Sequence, residues 1–113
     1  MTGESSLKTF VLDQLRAVGV VSARGMFGGF GLYRGDVFFG IIFKGRVYFK
    51  TNDTTREAYV RRGMKPFRPN AKQTLSAYYE VPPEVIEDSE QMTEWAQQAI
   101  AVGRLRRTSE ARR

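Results

Sequence analysis

The glycine-rich stretch at residues 24–33, RGMFGGFGLY, is the first place where residue types and spacing could bind a ligand. Glycines in a turn let backbone N–H groups approach a phosphate closely, as in the loops that precede a helix. Here Arg34 takes the place of the third glycine counted from Gly29 and Gly31, and a strand pattern follows where a helix is needed. The sequence therefore favours a structural role, in which Gly28, Gly29 and Gly31 relieve crowding between bulky neighbours.

A run of carboxylates is the second candidate, because paired carboxylates can share acid and base roles. Its members are Glu84, Glu87, Asp88, Glu90 and Glu94. Such chemistry needs one desolvated acid, whereas this run has the composition of a solvated helix start. The chain has no cysteine and no histidine, which excludes thiolate nucleophiles, imidazole bases and metal sites built from these side chains. We expect no catalytic residue, no metal site and no cofactor, and hence not an enzyme.

Basic residues interleaved with aromatic ones are the third candidate, because basic grooves with stacking aromatics hold single-stranded nucleic acids. The net charge is +6, and the last ten residues, RLRRTSEARR, carry five arginines and one glutamate. The candidate nucleic-acid contacts are Arg34, Arg46, Arg61, Arg62, Lys65, Arg104, Arg106 and Arg107. No helix-turn-helix or RNP-like motif accompanies them, and the acids of residues 80–103 would oppose a polyanion if they flanked the sheet.

The elements that would position these residues begin with a helix and a strand meander. Apolar spacing predicts a helix over residues 7–18, with Ser5 or Ser6 as its cap and Gly19 as its stop. β-branched and aromatic residues then dominate three segments that are separated by two-residue turns of hairpin type. The predicted strands are residues 26–33, 37–43 and 47–50.

Two further helices are predicted in the second half of the chain. Thr54 and Glu57 have the spacing of a capping box, and Gly63 ends the short helix that follows. The last helix has the clearest periodicity and begins behind a cap at Asp88 or Ser89. The apolar residues on its predicted buried face are Met92, Trp95, Ala96, Ala99 and Ile100.

The segment between these two helices contains strand signals that prolines interrupt. Pro66 and Pro69 disfavour a regular strand around Phe67, whereas residues 74–81 have strand composition, so we expect a small hairpin or an edge pair. The complete order is a helix, a three-stranded antiparallel meander, a helix, one or two strands and a helix. This order predicts an α+β fold of two layers, in which helices pack on an antiparallel sheet.

The length of 113 residues suits one domain with one hydrophobic core. We place this domain at residues 1–103 and a basic, flexible tail at residues 104–113. The start of the chain, MTGESSLK, lacks the apolar core of a secretion signal, and the longest apolar run, at residues 37–43, is far shorter than the roughly 20 residues that span a bilayer. We expect a cytoplasmic protein without membrane contact.

Four segments carry a resemblance to a known family: RGMFGGFGLY at residues 24–33, VYFK at 47–50, RGMKPF at 62–67, and SAYYEVPPEVIED with EWA within 76–96. The chain resembles the TfoX N-terminal domain family, named for the bacterial TfoX/Sxy regulators of natural competence, as a stand-alone N-terminal domain. The resemblance implies a compact α+β domain similar to secretion-chaperone-like folds, and it implies no catalytic residue. The signature residues, taken as a candidate interaction surface, are Arg24, Met26, Phe27, Gly28, Gly29, Gly31, Lys50, Pro66, Phe67 and Tyr78.

We expect a non-enzymatic regulatory or adaptor domain that binds another protein in a process linked to transcription or competence. Edge strands of a small sheet need cover, and a partner protein or a second copy in a homodimer would supply it. Six aromatic residues exceed what one face of so small a sheet buries, and any left exposed would form an anchor patch: Phe38, Phe43, Phe49, Phe67, Tyr78 and Tyr79. Two alternatives stay open: nucleic-acid binding by the basic strands and tail, and a small-ligand-binding protein or enzyme.

Overall fold

A computed structural model of the chain describes the backbone of residues 3–26 and 28–111 and the side chains of residues 5–26 and 28–105. The elements in chain order are α1 (Gly3–Gln14), a 3-10 turn (Arg16–Val18), β1 (Val21–Met26), β2 (Gly29–Arg34), β3 (Val37–Phe43), β4 (Arg46–Lys50), α2 (Arg56–Arg61), β5 (Pro66–Asn70), β6 (Gln73–Glu80), α3 (Pro83–Ile86) and α4 (Ser89–Ala111). All strand pairs are antiparallel. The predicted two-layer α+β class is confirmed.

The strands form one sheet in the order β1–β2–β3–β4–β6–β5, so β1 and β5 are its edges. The first four strands form a meander with one strand more than predicted. The sequence-based prediction placed the first strand at residues 26–33 and missed β1. Between Val21 and Met26 lie only Ser, Ala, Arg and Gly, which together have little strand preference, so pairing with β2 decides the conformation.

The starts of the first two helices also differ from prediction. α1 begins at Gly3, before both serines that were predicted to cap it. At α2, Asn52 and Thr55 bond reciprocally: the Asn52 Oδ1 accepts the Thr55 N–H at 2.8 Å, and the Thr55 Oγ1 accepts the Asn52 N–H at 3.0 Å. This pair orders the helix start instead of the capping box predicted from Thr54. The stop at Gly63 is confirmed, since its φ of +78° favours glycine.

Prolines shape the second half of the chain. Pro66 and Pro69 both lie in β5, an edge strand, where a missing N–H donor can face away from the sheet. β5 pairs with β6 at the edge of the sheet, which confirms the predicted small hairpin, and the register shifts twice along this pair. Pro83 is the first residue of α3, a short helix that the sequence prediction missed, and Pro82 precedes it as the cap residue. Proline suits this position because the first N–H groups of a helix have no intrahelical acceptor.

The main core lies between one face of the sheet and the helices. Its centre contains Phe39 and Phe49, whose ring centroids are 5.7 Å apart. The predicted inner face of α4 is confirmed, with Met92, Ala96, Ala99 and Ile100 buried and Trp95 packed against them. α4 continues to Ala111, past the predicted domain boundary. The division at residue 103 and the flexibility of the tail stay predictions.

A bulge in β3 determines which of its side chains point into this core and which point to the opposite face of the sheet. Leu32 pairs with Gly40 and Tyr33 pairs with Phe38, so Phe39 is an extra residue on β3. Phe39 and Ile42 therefore belong to the main core, whereas Phe38, Ile41 and Phe43 belong to a second cluster on the opposite face of the sheet. All members of that second cluster are strand or hairpin residues, and we call this side of the sheet the open face.

Candidate interaction surface

Five side chains from five strands form a continuous row on the open face: Arg24, Tyr33, Phe38, Tyr78 and Lys50. The guanidinium carbon of Arg24 lies 4.2 Å from the centroid of the Tyr33 ring. The Tyr33 and Phe38 rings stack with centroids 5.1 Å apart, and Phe38 and Tyr78 follow at 5.6 Å. The Lys50 Nζ lies 5.0 Å from the Tyr78 ring centroid and donates to its hydroxyl oxygen at 3.1 Å. We call these five side chains the aromatic row, which has a cation at each end.

Gly31 makes room for one end of the aromatic row. A Cβ on Gly31 would lie 2.6 Å from the Met26 Sδ, 3.1 Å from the Phe38 Cε1 and 3.2 Å from the Tyr33 Cε1. These three side chains therefore close over the glycine backbone. Gly31 is also the cross-strand partner of Arg24, so Tyr33 is the diagonal neighbour that the guanidinium reaches. The predicted relief of crowding is confirmed at this position.

The other two signature glycines have separate roles: Gly28 forms the turn between β1 and β2, and Gly29 lets β3 approach β2. Gly28 has a φ of +81°, in the left-handed region that favours glycine. A Cβ on Gly29 would overlap the carbonyl oxygen of Ile42, so β3 could not approach β2 at this register. Phe27, which was predicted as part of the signature, lies outside the described residues.

Arg24 has the most accessible cation of the aromatic row. Its side chain is exposed, and among the described residues no carboxylate lies within ion-pair distance of its guanidinium. Arg46, also on the open face, is instead occupied by Glu80, with its Nη1 3.0 Å from both carboxylate oxygens. Beside this pair, burial and the charge of Glu80 raise the pKa of Tyr48, although Arg46 opposes them.

Phe67 anchors the β5–β6 hairpin to the open face. The residue is fully buried, and its ring lies 4.7 Å from that of Tyr48 and 5.3 Å from that of Phe43, measured between centroids. Pro66, the signature residue before it, pairs with Tyr79 where β5 begins. The position of Phe67 is therefore that of a buried core residue, although the sequence indicated it as a candidate contact.

None of the six aromatic residues proposed as a source of an anchor patch is exposed. Phe49 and Tyr79 pack in or against the main core, and the other four belong to the second cluster. The two faces of the sheet together therefore bury the six rings that one face could not bury. The large apolar side chains that are exposed among the described residues are Phe10, Val20, Val60 and Leu105.

The family model of the TfoX N-terminal domain matches residues 13–102. The chain belongs to the TfoX N-terminal domain family. The matched residues include all six strands, and therefore both edges of the sheet and the whole aromatic row. Membership of this family suggests a competence-related regulatory domain. A comparison with curated proteins finds no match.

The structure brings together five signature residues of this TfoX N-terminal domain in or beside the aromatic row: Arg24, Met26, Gly31, Lys50 and Tyr78. A sixth, Phe67, lies elsewhere on the open face. Their role in binding stays a prediction. Tyr33 and Phe38, which connect the two ends of the row, were missing from the signature set, although Phe38 was one of the six aromatic residues considered as an anchor patch. The signal for Tyr33 was its place at the end of the signature stretch, two residues after Gly31 on the same strand face. The position of Phe38 in this row had no signal in the sequence, because the bulge at Phe39 is not visible there.

A separate group of aromatic and basic residues lies on the helical side of the domain. The Tyr59 and Trp95 rings are 4.7 Å apart, and the guanidinium carbon of Arg62 lies 5.2 Å from the Trp95 ring centroid. Burial raises the pKa of Tyr59 well above its ordinary value. Arg62 also approaches Glu84 at 3.4 Å. These contacts give Arg62 a place in the packing of α2 against α4.

The candidate nucleic-acid contacts are distributed over β2, β4, α2, the segment after α2, and α4. Arg34 donates its Nε–H to the Val18 carbonyl at 3.2 Å, where it packs beneath Gly19. Arg46 and Arg62 are paired with Glu80 and Glu84. Arg61, Lys65 and Arg104 are exposed and have no ion pair among the described residues, while the side chains of Arg106 and Arg107 lie outside the described part of the chain. Their role as contacts stays a prediction.

The acidic run of residues 84–94 lies at α3 and the start of α4, on the helical side of the sheet. All five of its carboxylates are exposed, so its interpretation as a solvated helix start is confirmed. Asp88 caps α4, because its Oδ1 accepts the backbone N–H groups of Glu90 at 3.0 Å and Gln91 at 3.1 Å. The bonds from Gln91 lower the pKa of Asp88. Among the described residues, no group of three or more carboxylates is arranged to hold a metal ion.

No helix within residues 3–26 and 28–111 is both long enough and apolar enough to cross a membrane.

Proposed function

We propose that this TfoX N-terminal domain is a non-enzymatic regulatory or adaptor domain that binds a partner protein with the open face of its sheet, in a process linked to competence or transcription. The main support for this proposal is the environment of the Arg24 side chain. Its guanidinium is stacked on Tyr33, exposed, and without a carboxylate partner among the described residues. An arginine held in this way presents its N–H donors to an incoming acceptor.

The chemistry of Arg24 suits recognition of a carboxylate. A guanidinium is planar and always charged, and its N–H groups match the two oxygens of a carboxylate. Stacking on Tyr33 reduces the side-chain freedom that binding would otherwise remove. Arginine and tyrosine are also enriched among the residues that dominate the energy of protein interfaces.

The aromatic row favours a protein partner over a single-stranded nucleic acid. Bases stack on exposed ring faces, whereas the rings of this row stack on each other and Tyr78 is only 7% exposed. Arg24 already covers a face of Tyr33. The row therefore offers its cations and ring edges rather than open stacking surfaces.

Nucleic-acid binding is the second candidate, and one observation favours it. The acids at the start of α4 lie on the other side of the sheet from Arg24 and Lys50, so they do not flank the basic ends of the row. Binding of this kind would weaken steeply with salt, with a slope of about −0.9 for each phosphate neutralised on duplex DNA. A labelled duplex and a labelled single strand, titrated at several salt concentrations, measure this slope.

Cross-linking and affinity capture in cells that express the tagged full chain test the proposed function. We expect Arg24→Ala and Lys50→Ala to lose partners that the wild-type chain retains. Arg61→Ala is the matched control, because Arg61 is exposed on α2, away from the aromatic row. If both row variants are folded by circular dichroism and keep every wild-type partner, the open face is not the binding surface.

A further inference from the structure

We infer that the partner docks as an extended acidic segment that adds a strand to β1 and places a carboxylate beside Arg24. This inference rests on the proposed function and specifies the class of partner and its mode of binding. Three features of the first edge of the sheet support it: its regular backbone, its charge and the space beside Gly25.

The two edges of the sheet differ in their readiness to pair with another strand. β5 contains Pro66 and Pro69, and its pairing with β6 shifts register twice. Prolines and bulges are the usual protection of an edge strand, because they remove donors and bend the backbone. β1 pairs with β2 over six consecutive residues without a shift and contains no proline. β1 is thus the edge whose backbone can accept a further strand.

Arg24 selects the charge of that strand. Directly opposite side chains on neighbouring antiparallel strands have Cβ atoms about 5 Å apart, and opposite charges there are favourable. A carboxylate facing Arg24 would complete an ion pair that the described residues do not supply. A second copy of β1 is disfavoured as the added strand, because its own Arg24 would repel this one. If the two β1 strands paired antiparallel near Arg24, with the helices of both copies on the same side of the joined sheet, the two Arg24 side chains would lie directly or diagonally opposite each other.

Gly25 gives the docking strand an apolar position next to the acidic one. It is exposed, a Cβ at this position would have no atom within 4 Å, and its cross-strand partner Phe30 is only half-buried. Gly25 follows Arg24 on β1, so its side of the strand is the helical one. An apolar side chain opposite Gly25 would cover Phe30 while its acidic neighbour meets Arg24. The expected partner segment therefore alternates apolar and acidic residues.

A fluorescein-labelled ten-residue peptide of alternating valine and glutamate is the first probe, titrated into the full chain and followed by fluorescence anisotropy. We expect saturable binding that weakens at least tenfold in Arg24→Glu. Arg61→Glu is the matched control and should keep the wild-type affinity within twofold. A peptide with lysine in place of glutamate should bind at least tenfold more weakly. Equal affinity of the Arg24→Glu and Arg61→Glu variants would overturn the inference.

Backbone methylation of the same peptide tests strand addition in the wild-type chain, so it does not depend on how a variant folds. N-methyl groups on every residue block both edges of the peptide, and we expect binding to be lost. If this methylated peptide binds as tightly as its parent, the contact is only electrostatic and strand addition is wrong.

The two proposals fail in different ways. If the Arg24→Ala variant loses its cellular partners but the methylated peptide binds like its parent, strand addition is wrong and the proposed function stands. If the Arg24→Ala and Lys50→Ala variants keep every partner, the proposed function is wrong. Sedimentation analysis adds one more outcome: a stable dimer that Arg24→Glu dissociates or tightens would assign the β1 edge to a second copy and overturn the acidic-segment inference.

Discussion

The guanidinium of Arg24, on the edge strand β1, lies 4.2 Å from the ring centroid of Tyr33 on the neighbouring strand. Tyr33 is itself stacked on Phe38, so the charge at the edge of the sheet has a support that reaches into the second hydrophobic cluster. Support of this kind holds a donor group in place before a partner arrives.

Gly29 is expected to tolerate no side chain. Gly29→Ala should lower the free energy of unfolding by about 3 kcal/mol, because the added Cβ meets the backbone oxygen of Ile42 rather than a side chain that can move. Gly25→Ala is the control, since its Cβ would meet no atom within 4 Å, and its effect should stay within about 0.5 kcal/mol. Urea denaturation of both variants measures the difference. Equal stability of the two would contradict the observed approach of β2 and β3.

Phe67 is expected to act through stability. Phe67→Ala should lower the free energy of unfolding by about 3–5 kcal/mol, because a fully buried ring would leave a cavity beside Tyr48 and Phe43. Phe10→Ala removes the same ring from a side chain that is 41% exposed and should have a much smaller effect. Thermal and urea unfolding give the comparison. An unchanged stability in Phe67→Ala would mean that the β5–β6 hairpin does not depend on this anchor.

Tyr59 is expected to make the domain sensitive to alkali. Burial raises its pKa in the folded chain, so its contribution to stability is complete below the unfolded value of about 10 and is lost as the pH rises above it. The slope of the unfolding free energy against pH should therefore steepen through pH 10 and approach about 1.4 kcal/mol per pH unit above it, the limit for one proton. Tyr59→Phe keeps the ring and should flatten this dependence, measured by urea denaturation between pH 9 and 11. Identical slopes would assign the alkaline loss to other groups.

Asp88 is expected to contribute to stability at neutral pH through its carboxylate. Its pKa is lowered by hydrogen bonds from Gln91, so the contribution is present above the unfolded value and is lost as the pH falls through the lower folded value. Asp88→Asn keeps an acceptor for the cap and should lose this pH dependence, whereas Asp88→Ala should also have a lower Tm at pH 7. Thermal unfolding at pH 7 and pH 3 separates them. A wild-type pH dependence in Asp88→Asn would show that this cap does not act through its charge.

Local patterns in the sequence predicted much of the fold because they report local structure. The periodicity of α4 placed Met92 and Ala96 in the core, and the strand composition of residues 37–43 predicted β3. β1 escaped prediction because its middle residues are small or charged, and only its partner β2 makes it a strand. The missing strand also hid the edge on which Arg24 lies.

The sequence by itself determined the α+β class, the family and the set of glycines and aromatic residues that the sheet needs. Only the tertiary structure decided that Arg24 and Lys50 end one row on the open face. Side chains on a strand change face at every residue, so a single bulge at Phe39 redirects the residues beyond it. The contact of Phe38 with Tyr78 further depends on β6 returning beside β4, a pairing between residues that are distant along the chain.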